Sequence, residues 1–257
     1  VPSNYQALLR KTSFPQRELK DLKKIQQAGG KLPAILINEL INCRPNSEIF
    51  IMYGQTEATA RLSCLPPHLL KEKMGSIGKG LPGVQLKVIN EQGLEIKPDE
   101  VGEIVAHGEN ISPGYLNEPE ASREKFRDGS LYTGDLATVD KDGYIYIVDR
   151  KSDFIKSYGN RVSSQDIESC ILELSDIVAA AAIGVPDLIK GEAIYAFIMV
   201  KPGTTLTPKA VIVHVAKHLP NFMVPTEVKI IDNLPLNANG KVIKSELRNL
   251  VGHQNEP

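Results

Sequence analysis

No charge of either sign dominates this sequence: 30 lysines and arginines face 31 aspartates and glutamates across 257 residues, a formal net charge of −1. That balance provides no global field for nucleic acid or an anionic membrane, so any bound anion has to be held by local groups. Cysteine is scarce. Cys43, Cys64 and Cys170 are odd in number and share no Cys-x-x-Cys spacing. This argues against a disulfide framework and a thiolate zinc site and makes a reducing cytosol, hence a cytoplasmic protein, the expectation. Long apolar runs are missing too: Ile177 to Val185 is nine residues with a glycine inside it, against the roughly 20 that a membrane-spanning helix needs. The chain begins Val-Pro-Ser-Asn, with no methionine and no basic stretch leading into an apolar one. No signal peptide is visible, and the first residues are expected to mark a cut. There are no internal repeats.

What is present describes a globular chain. Apolar residues make up 42% and charged residues 24%, close to soluble domains and far from disordered or fibrous compositions. At roughly 150 residues per domain, the length allows one large domain or two unequal lobes. Apolar residues recur at helical spacing from Ser3 to Arg10 and from Pro33 to Arg44, while Leu22 to Ala28 reads as strand or helix up to Gly29-Gly30. The basic run Arg17 to Lys24 alternates with acidic residues and reads as an exposed helical face. Glu48 to Tyr53, short, apolar and β-branched, predicts a strand that breaks at Gly54.

From Gly75 to Asp149 the pattern becomes short alternating runs with turns, which predicts antiparallel sheet. Gln85 to Ile89 is one such run; Leu136 to Val139, joined through Asp142-Gly143 to Tyr144 to Val148, is a hairpin. Past Arg150, Ser163 and Asp166 fit a capping pattern for a helix reaching Leu174. Strands follow at Val178 to Val185 and Ala193 to Val200, and Thr207-Pro208 opens a second helix. A strand at Glu227 to Ile231 and a short terminal helix come last. The expected fold class is α/β plus α+β: a truncated α/β lobe with a β-rich appendage, then a compact α+β lobe.

Four short motifs carry chemistry. Tyr53-Gly54-Gln55-Thr56-Glu57 leaves a predicted strand end, where open α/β sheets place their ligands. A tyrosine face stacks on a base, glycine admits close backbone approach, a threonine hydroxyl donates to phosphate and a carboxylate ligates magnesium. Read alone, the five are more often an ordinary strand-to-helix turn. In Leu131-Tyr132-Thr133-Gly134-Asp135 the carboxylate suits a ribose diol, with a turn aspartate as the plain alternative. Asp149-Arg150-Lys151-Ser152-Asp153, followed by Lys156 and Gly159, is a charged junction that alone reads as solvated linker. Leu234 to Lys241 presents one lysine on a turn-rich loop, in isolation a surface turn. His214 and His218 stand four apart on a predicted helix, but Val215 takes the place of a metalloprotease glutamate, so they read as a partly buried pair. The glycines from Gly102 to Tyr115 sit among hairpin strands and read as structural.

In order and spacing these motifs resemble the adenylate-forming superfamily, which includes acyl-CoA synthetases, the adenylation domains of peptide synthetases and firefly-type luciferases. The likeness extends through Gly102-Glu103-Ile104, Gly108, Gly114-Tyr115 and Leu219-Pro220-Asn221-Phe222-Met223-Val224-Pro225, over nearly the whole chain. It implies an AMP-forming acid-thiol ligase using ATP, Mg2+ and CoA. Such an enzyme joins a carboxylic acid to AMP, releases pyrophosphate, and passes the acyl group to the thiol of CoA or of a carrier's phosphopantetheine. By that likeness Lys241 reaches the substrate carboxylate and α-phosphate, Thr56 holds phosphate and Glu57 ligates magnesium. Gly29, Gly30 and Lys31 edge the nucleotide and acyl pockets; Met52, Tyr53, Gly54 and Gln55 border the nucleotide, with Tyr53 along the adenine. Asp135 and Arg150 take the ribose hydroxyls, and Lys156, Ser157 and Gly159 belong to the thiol channel.

Two departures stand out. The family's hinge position usually carries Asp or Lys and here is Ser152. The family's Ser/Thr/Gly-rich loop, which ends in Lys and wraps the β- and γ-phosphates, has no match; Gly78-Lys79-Gly80 lacks the hydroxyl run. The resemblance therefore implies the C-terminal half of an enzyme, unable alone to make acyl-adenylate. Residues 1–149 would end the large domain, with a β-rich subdomain at 75–149, and residues 150–257 would form the small mobile domain. A CoA ligase is the preferred reading. An adenylation domain serving a carrier protein and a non-catalytic nucleotide-binding module are the alternatives, and the sequence does not name the acid.

Overall fold

The two apolar stripes near the start fold as helices α1 (Pro2–Lys11) and α2 (Ala34–Cys43), and the ambiguous segment between them is strand β1 (Lys24–Gln27). This computed structural model describes residues 1–252. Arg17 to Lys23 is an exposed loop with a turn at Lys20-Asp21, and Lys24 begins β1, so the exposed helical face expected for the run Arg17 to Lys24 is corrected. Its charges are solvated as anticipated, but no apolar stripe gives a helix there anything to bury, and the preceding 3-10 turn, Phe14–Gln16, ends as Arg17 becomes extended. Strand β2 (Glu48–Tyr53) pairs with β1 in parallel, so β1, α2 and β2 form a crossover unit. Leu36, Ile37 and Leu40 of α2 pack with Ile25, Ile49 and Ile51 of the strands in one buried cluster. β3 (Ser63–Leu65) and β4 (Lys79–Gly80) extend this sheet in the order β1-β2-β3-β4.

The turn-rich stretch forms a second sheet from β5 (Val84–Ile89), β6 (Gly102–Gly108), β7 (Phe126–Arg127), β8 (Ser130–Val139) and β9 (Ile145–Arg150). The order is β5-β6-β8-β7, with β9 on β8, and every pairing is antiparallel, as the alternation predicted. Helix α3 (Pro119–Lys125) interrupts it. It buries no residue, so it has no apolar periodicity for a sequence reading to detect.

The third sheet carries the C-terminal part. Its strands are β10 (Ile155–Ser157), β11 (Asn160–Val162), β12 (Ile177–Asp187), β13 (Gly191–Val200) and β14 (Glu227–Ile230), with helices α4 (Ser164–Ile171), α5 (Pro208–His218) and α6 (Lys244–Gly252). Strands β12 and β13 alternate between two cores. Ala180, Ala182, Ile194, Ala196 and Ile198 meet Ile167 and Ile171 of α4 and Val211 and Val215 of α5. Ala179, Ala181, Ile183 and Phe197 meet Leu247 and Val251 of α6. Burial of Phe197 alone is worth about 1.5–3 kcal/mol. Both predicted caps form: Ser163 accepts from the Asp166 amide and Thr207 from the Ala210 amide. α4 ends at Ile171, three residues short of Leu174. Among the described residues no helix is long and apolar enough to cross a membrane.

Candidate active site

With β1 and β2 parallel and Gln27 opposite Ile51, Ala28-Gly29-Gly30 and Tyr53-Gly54 leave the sheet at the same carboxyl edge. This is where open α/β sheets bind ligands. A cavity of about 260 Å³ opens there. Gly29, Gly30, Lys31, Met52, Tyr53 and Gly54 line it from the first sheet, Asp135 and Arg150 from the second, and Lys241 from the C-terminal part. Nine of the residues implied by the resemblance, from three distant stretches of chain, thus share one cavity wall.

Gly54 is required by the local backbone. A Cβ at this position would lie 2.2 Å from the carbonyl oxygen of Ala60. The loop turns back after a single helical turn, Thr56–Ala58, through Thr59 and Ala60 at φ 51° and 71°, so no longer helix follows the strand. The close approach expected of Gly54 is therefore made first by the chain itself.

Asp135 is fixed by hairpin register, since β8 and β9 place it opposite Arg150. Arg150 Nε lies 3.2 Å from Asp135 Oδ1, while Tyr53 Oη and Gln55 Nε2 each donate to Oδ2 at 2.7 Å. The aspartate is only 5% exposed, and three donors leave about one of its roughly four lone-pair sites open. Burial, and then the Asp135 charge, push the Tyr53 phenol well above its usual pKa, so it stays a neutral donor.

Thr56 and Glu57 sit just outside the cavity wall. Burial works against ionisation of Glu57, but a 2.5 Å hydrogen bond from Tyr115 Oη, its own backbone amide and the nearby Lys125 and Arg150 outweigh it and lower its pKa. Burial, and then the same contact, push Tyr115 up to about 12. The Glu57 carboxylate thus accepts from Tyr115 Oη at Oε1 and from its own backbone amide. An ionised carboxylate with lone pairs beyond those two bonds fits a hard divalent cation.

Lys241 stands on a turn built as its Asn and Gly residues suggest. Asn237 Oδ1 accepts from the amides of Asn239 and Lys241 at 3.0 Å, Gly240 adopts φ 76°, and Ser3 Oγ donates to the Gly240 carbonyl at 2.7 Å. The Lys241 ammonium ion-pairs with no carboxylate among the described residues. The residue is still exposed, yet desolvation at the wall, reinforced by the Arg150 charge, lowers its pKa, with Asp135 and Glu57 pulling the other way.

Lys31, grouped with the glycines in sequence, has its ammonium 3.9 Å from Asp166 of α4. Lys156, Ser157 and Gly159 do not line the cavity. They belong to the β10–β11 hairpin, where Tyr158 and Gly159, both at positive φ (51° and 75°), form a two-residue turn with Lys156 exposed and Ser157 buried.

Part of the wall escaped the sequence reading. Lys244 Nζ lies 3.1 Å from Glu168 and donates to Ser164 Oγ at 2.6 Å, and the Ser164 amide and hydroxyl both donate to the fully buried Asp149 at 2.8 Å. Ser164 and Glu168 stand four apart on α4, a spacing that marks a shared face, but the partner lysine lies 76 residues further on. Gln27 also lines the cavity, 1% exposed, with Oε1 unpartnered.

Comparison with known proteins gives two family matches: the AMP-binding enzyme family over residues 1–116 and the AMP-binding enzyme C-terminal domain over residues 166–241. An oxalate–CoA ligase of Arabidopsis thaliana is 34% identical over 244 residues, covering 94% of this chain and 47% of that protein. A long-chain-fatty-acid–CoA ligase of Salmonella typhimurium is 35% identical, over 96% of this chain and 44% of its own length. Among solved structures, the o-succinylbenzoate CoA synthetase of Bacillus subtilis in complex with ATP and magnesium ion superposes with a TM-score of 0.81 at 29% identity, covering 95% of this chain and 49% of that one. An anthranilate CoA ligase in complex with anthranoyl-AMP gives a TM-score of 0.88 at 28% identity, over 97% of this chain and 48% of that one. The chain thus spans about half the length of these relatives. With both family matches falling in order along one chain whose strand ends and cavity have the geometry described, it belongs to the adenylate-forming superfamily of AMP-binding enzymes and represents the C-terminal portion of such a protein.

Proposed function

We propose that the cavity holds the adenosine and α-phosphate of ATP, and that the intact protein is an AMP-forming acyl-CoA ligase. The observation that carries this reading is the presence of Lys241, an unpaired ammonium on a turn late in the chain, in the same cavity wall as Gly29-Gly30 and the Asp135–Arg150 pair. In this reading residues 1–149 complete the large domain, 75–149 being its β-rich subdomain, and residues 150–257 are the small domain, with Ser152 at the hinge.

The roles follow from chemistry. A carboxylate attacking the α-phosphorus of ATP brings two anions together and sends negative charge onto the leaving pyrophosphate. Lys241 offsets that charge at the reacting centre, in a partly desolvated place where an ammonium acts more strongly than in water. Asp135 offers its remaining lone pair to the ribose diol, Arg150 reinforces that contact, and the Tyr53 ring lies along the adenine. The unpartnered Gln27 Oε1 accepts from a donor on the bound ligand. Thr56 donates to phosphate. Glu57, an ionised carboxylate with lone pairs to spare, holds the magnesium ion, which supplies neutralisation of phosphate charge when bound. Lys156, Ser157 and Gly159 serve the thiol of CoA after the small domain turns.

CoA as acceptor is supported by relatives named as CoA ligases. An adenylation domain serving a carrier protein shares the first half-reaction, and a nucleotide-binding module has neither. A reducing compartment such as the cytoplasm suits the three free cysteines. The test uses the intact protein with ATP, magnesium and a panel of carboxylic acids. Acid-dependent pyrophosphate release followed by CoA-dependent thioester formation supports the reading. Acyl transfer to a carrier pantetheine but not to free CoA selects the second reading, and nucleotide binding without pyrophosphate release the third. The 257-residue chain alone is expected to release none.

A further inference from the structure

The metal-ligating side chains outside the cavity gather at one place. Cys170 on α4, Glu173 just past its end, and His214 and His218 on α5 bring one ligand atom each to within 4.8 Å of one another. In sequence the histidines read as a packed pair, and the rings do lie together, with centroids 4.3 Å apart. The α4–α5 packing then adds a thiol and a carboxylate from more than 40 residues upstream of the first histidine.

From this arrangement we infer a four-ligand site for a divalent transition metal, zinc foremost, made by Cys170, Glu173, His214 and His218. Sulfur, imidazole and carboxylate together are a zinc-type donor set, and four protein ligands leave no open position, the hallmark of a structural site. The geometry needs small adjustments only. His214 Nε2 is 3.1 Å from Glu173 Oε2, close to the roughly 3.3 Å edge of a tetrahedron with bonds of about 2.0 Å. His218 Nδ1 is 2.8 Å from the carbonyl oxygen of His214. A carbonyl only accepts, so Nδ1 carries the proton and Nε2 keeps its lone pair for the metal, the backbone-oriented arrangement usual for ligating imidazoles. His214 Nε2 also lies 3.1 Å from the Cys170 carbonyl, so in the metal-free chain Nε2 carries the ring proton; on coordination that proton passes through solvent to Nδ1 and the metal bond replaces the contact. The Cys170 thiol is buried but adjoins the half-buried His214 and the exposed Glu173 and His218, which leaves an entry path. On binding, the thiol loses its proton to solvent and the thiolate–metal bond forms, with no change in oxidation state. The ion would cross-link α4 to α5, independently of the adenylation chemistry.

The test is titration of the reduced, tag-free 257-residue chain with Co2+, followed by displacement with Zn2+. Expected are a thiolate-to-cobalt charge-transfer band saturating at one ion per chain, tetrahedral visible bands, and a rise in Tm with Zn2+. Cys170→Ser is expected to abolish the charge-transfer band. His218→Ala, at an exposed position, weakens binding at least tenfold, while Cys43→Ser and Cys64→Ser leave it unchanged. Absence of saturable binding overturns the inference. So does binding that survives Cys170→Ser at the same affinity, which would mean surface histidines only, or a charge-transfer band lost in Cys43→Ser or Cys64→Ser. Circular dichroism of each variant separates ligand loss from misfolding.

Discussion

On the side of the cavity formed by β2, β8 and β9, Asp135 is held by three donors and Gly54 is boxed in by backbone. On the opposite side, Lys241 stands on a five-residue turn without an ion pair among the described residues, while the partly buried Lys244 and Glu168 are linked to the buried Ser164 and Asp149. One wall is rigid and presents acceptors; the other presents a single free cation on a firm support. The lesson concerns where each kind of group belongs. A nucleotide-recognising carboxylate gains from being preorganised, whereas a charge required in only one of two half-reactions has to be removable, and extra partners would hold it back.

The largest expected effect tests the free cation. In the intact protein Lys241→Ala should slow acid-dependent pyrophosphate release by about 10²–10³-fold, the usual consequence of losing one preorganised charge stabiliser. Thioester formation from preformed acyl-adenylate should be nearly unchanged. Equal loss in both half-reactions would remove the contrast between the walls. Next, Lys244→Ala leaves the Glu168 carboxylate without its cation and should cost about 1.5–3 kcal/mol in urea unfolding, because the two side chains are only 16% and 20% exposed and water replaces the lost bond incompletely. A loss below roughly 0.5 kcal/mol, within surface-substitution range, would show that the support is not firm. Asp135→Asn should cost about 1–3 kcal/mol and raise KM for ATP more than it lowers kcat; an unchanged KM would detach the rigid wall from the nucleotide.

A finer test is pH. Lys241 acts as an ammonium and its pKa is lowered, so adenylation should fall on the alkaline side at a pH below that of an ordinary lysine. Arg150→Gln removes a cation that disfavours the ammonium, so this alkaline limb should move to higher pH. A move to lower pH would mean that another group controls it. The smallest effect is Tyr115→Phe, which removes the donor to Glu57 and should cost about 0.5–1.5 kcal/mol. It should also weaken magnesium dependence on the acid side, since the Glu57 pKa rises without that bond. Unaltered magnesium dependence would separate Tyr115 from the metal-holding role of Glu57.

Legibility in the sequence varied with the range of the interaction. Glu48 to Tyr53 was read to the residue, because a β-branched run stopped by glycine is a local signal. The Ser163 and Thr207 caps were read for the same reason. Helix α3 leaves no mark in the sequence because it buries nothing, and alternating charge at Arg17 to Lys24 suits an exposed helix as well as the loop that the structure has there up to Lys23. Of the candidate site, Tyr53, Asp135, Arg150 and Lys241 were legible through motif order. Glu168 and Lys244 were not, since each is an unremarkable charge on its own helix until the helices pack.

By itself the sequence determined the elements whose causes are local: strands by alternation, helices by stripe and cap, and the Asn237–Lys241 turn by residues that tolerate its backbone angles. It also carried, through the order of its motifs, the family to which the chain belongs. Only the tertiary structure decided which charges meet. Lys241 comes within electrostatic reach of Asp135 and Glu57, Lys244 meets Glu168, and Cys170 lies beside His214 and His218. The physical reason is that Coulombic and ligand contacts act over a few ångströms of space. Such distances between residues far apart in the chain arise only when apolar faces, read one at a time along the sequence, close on one another.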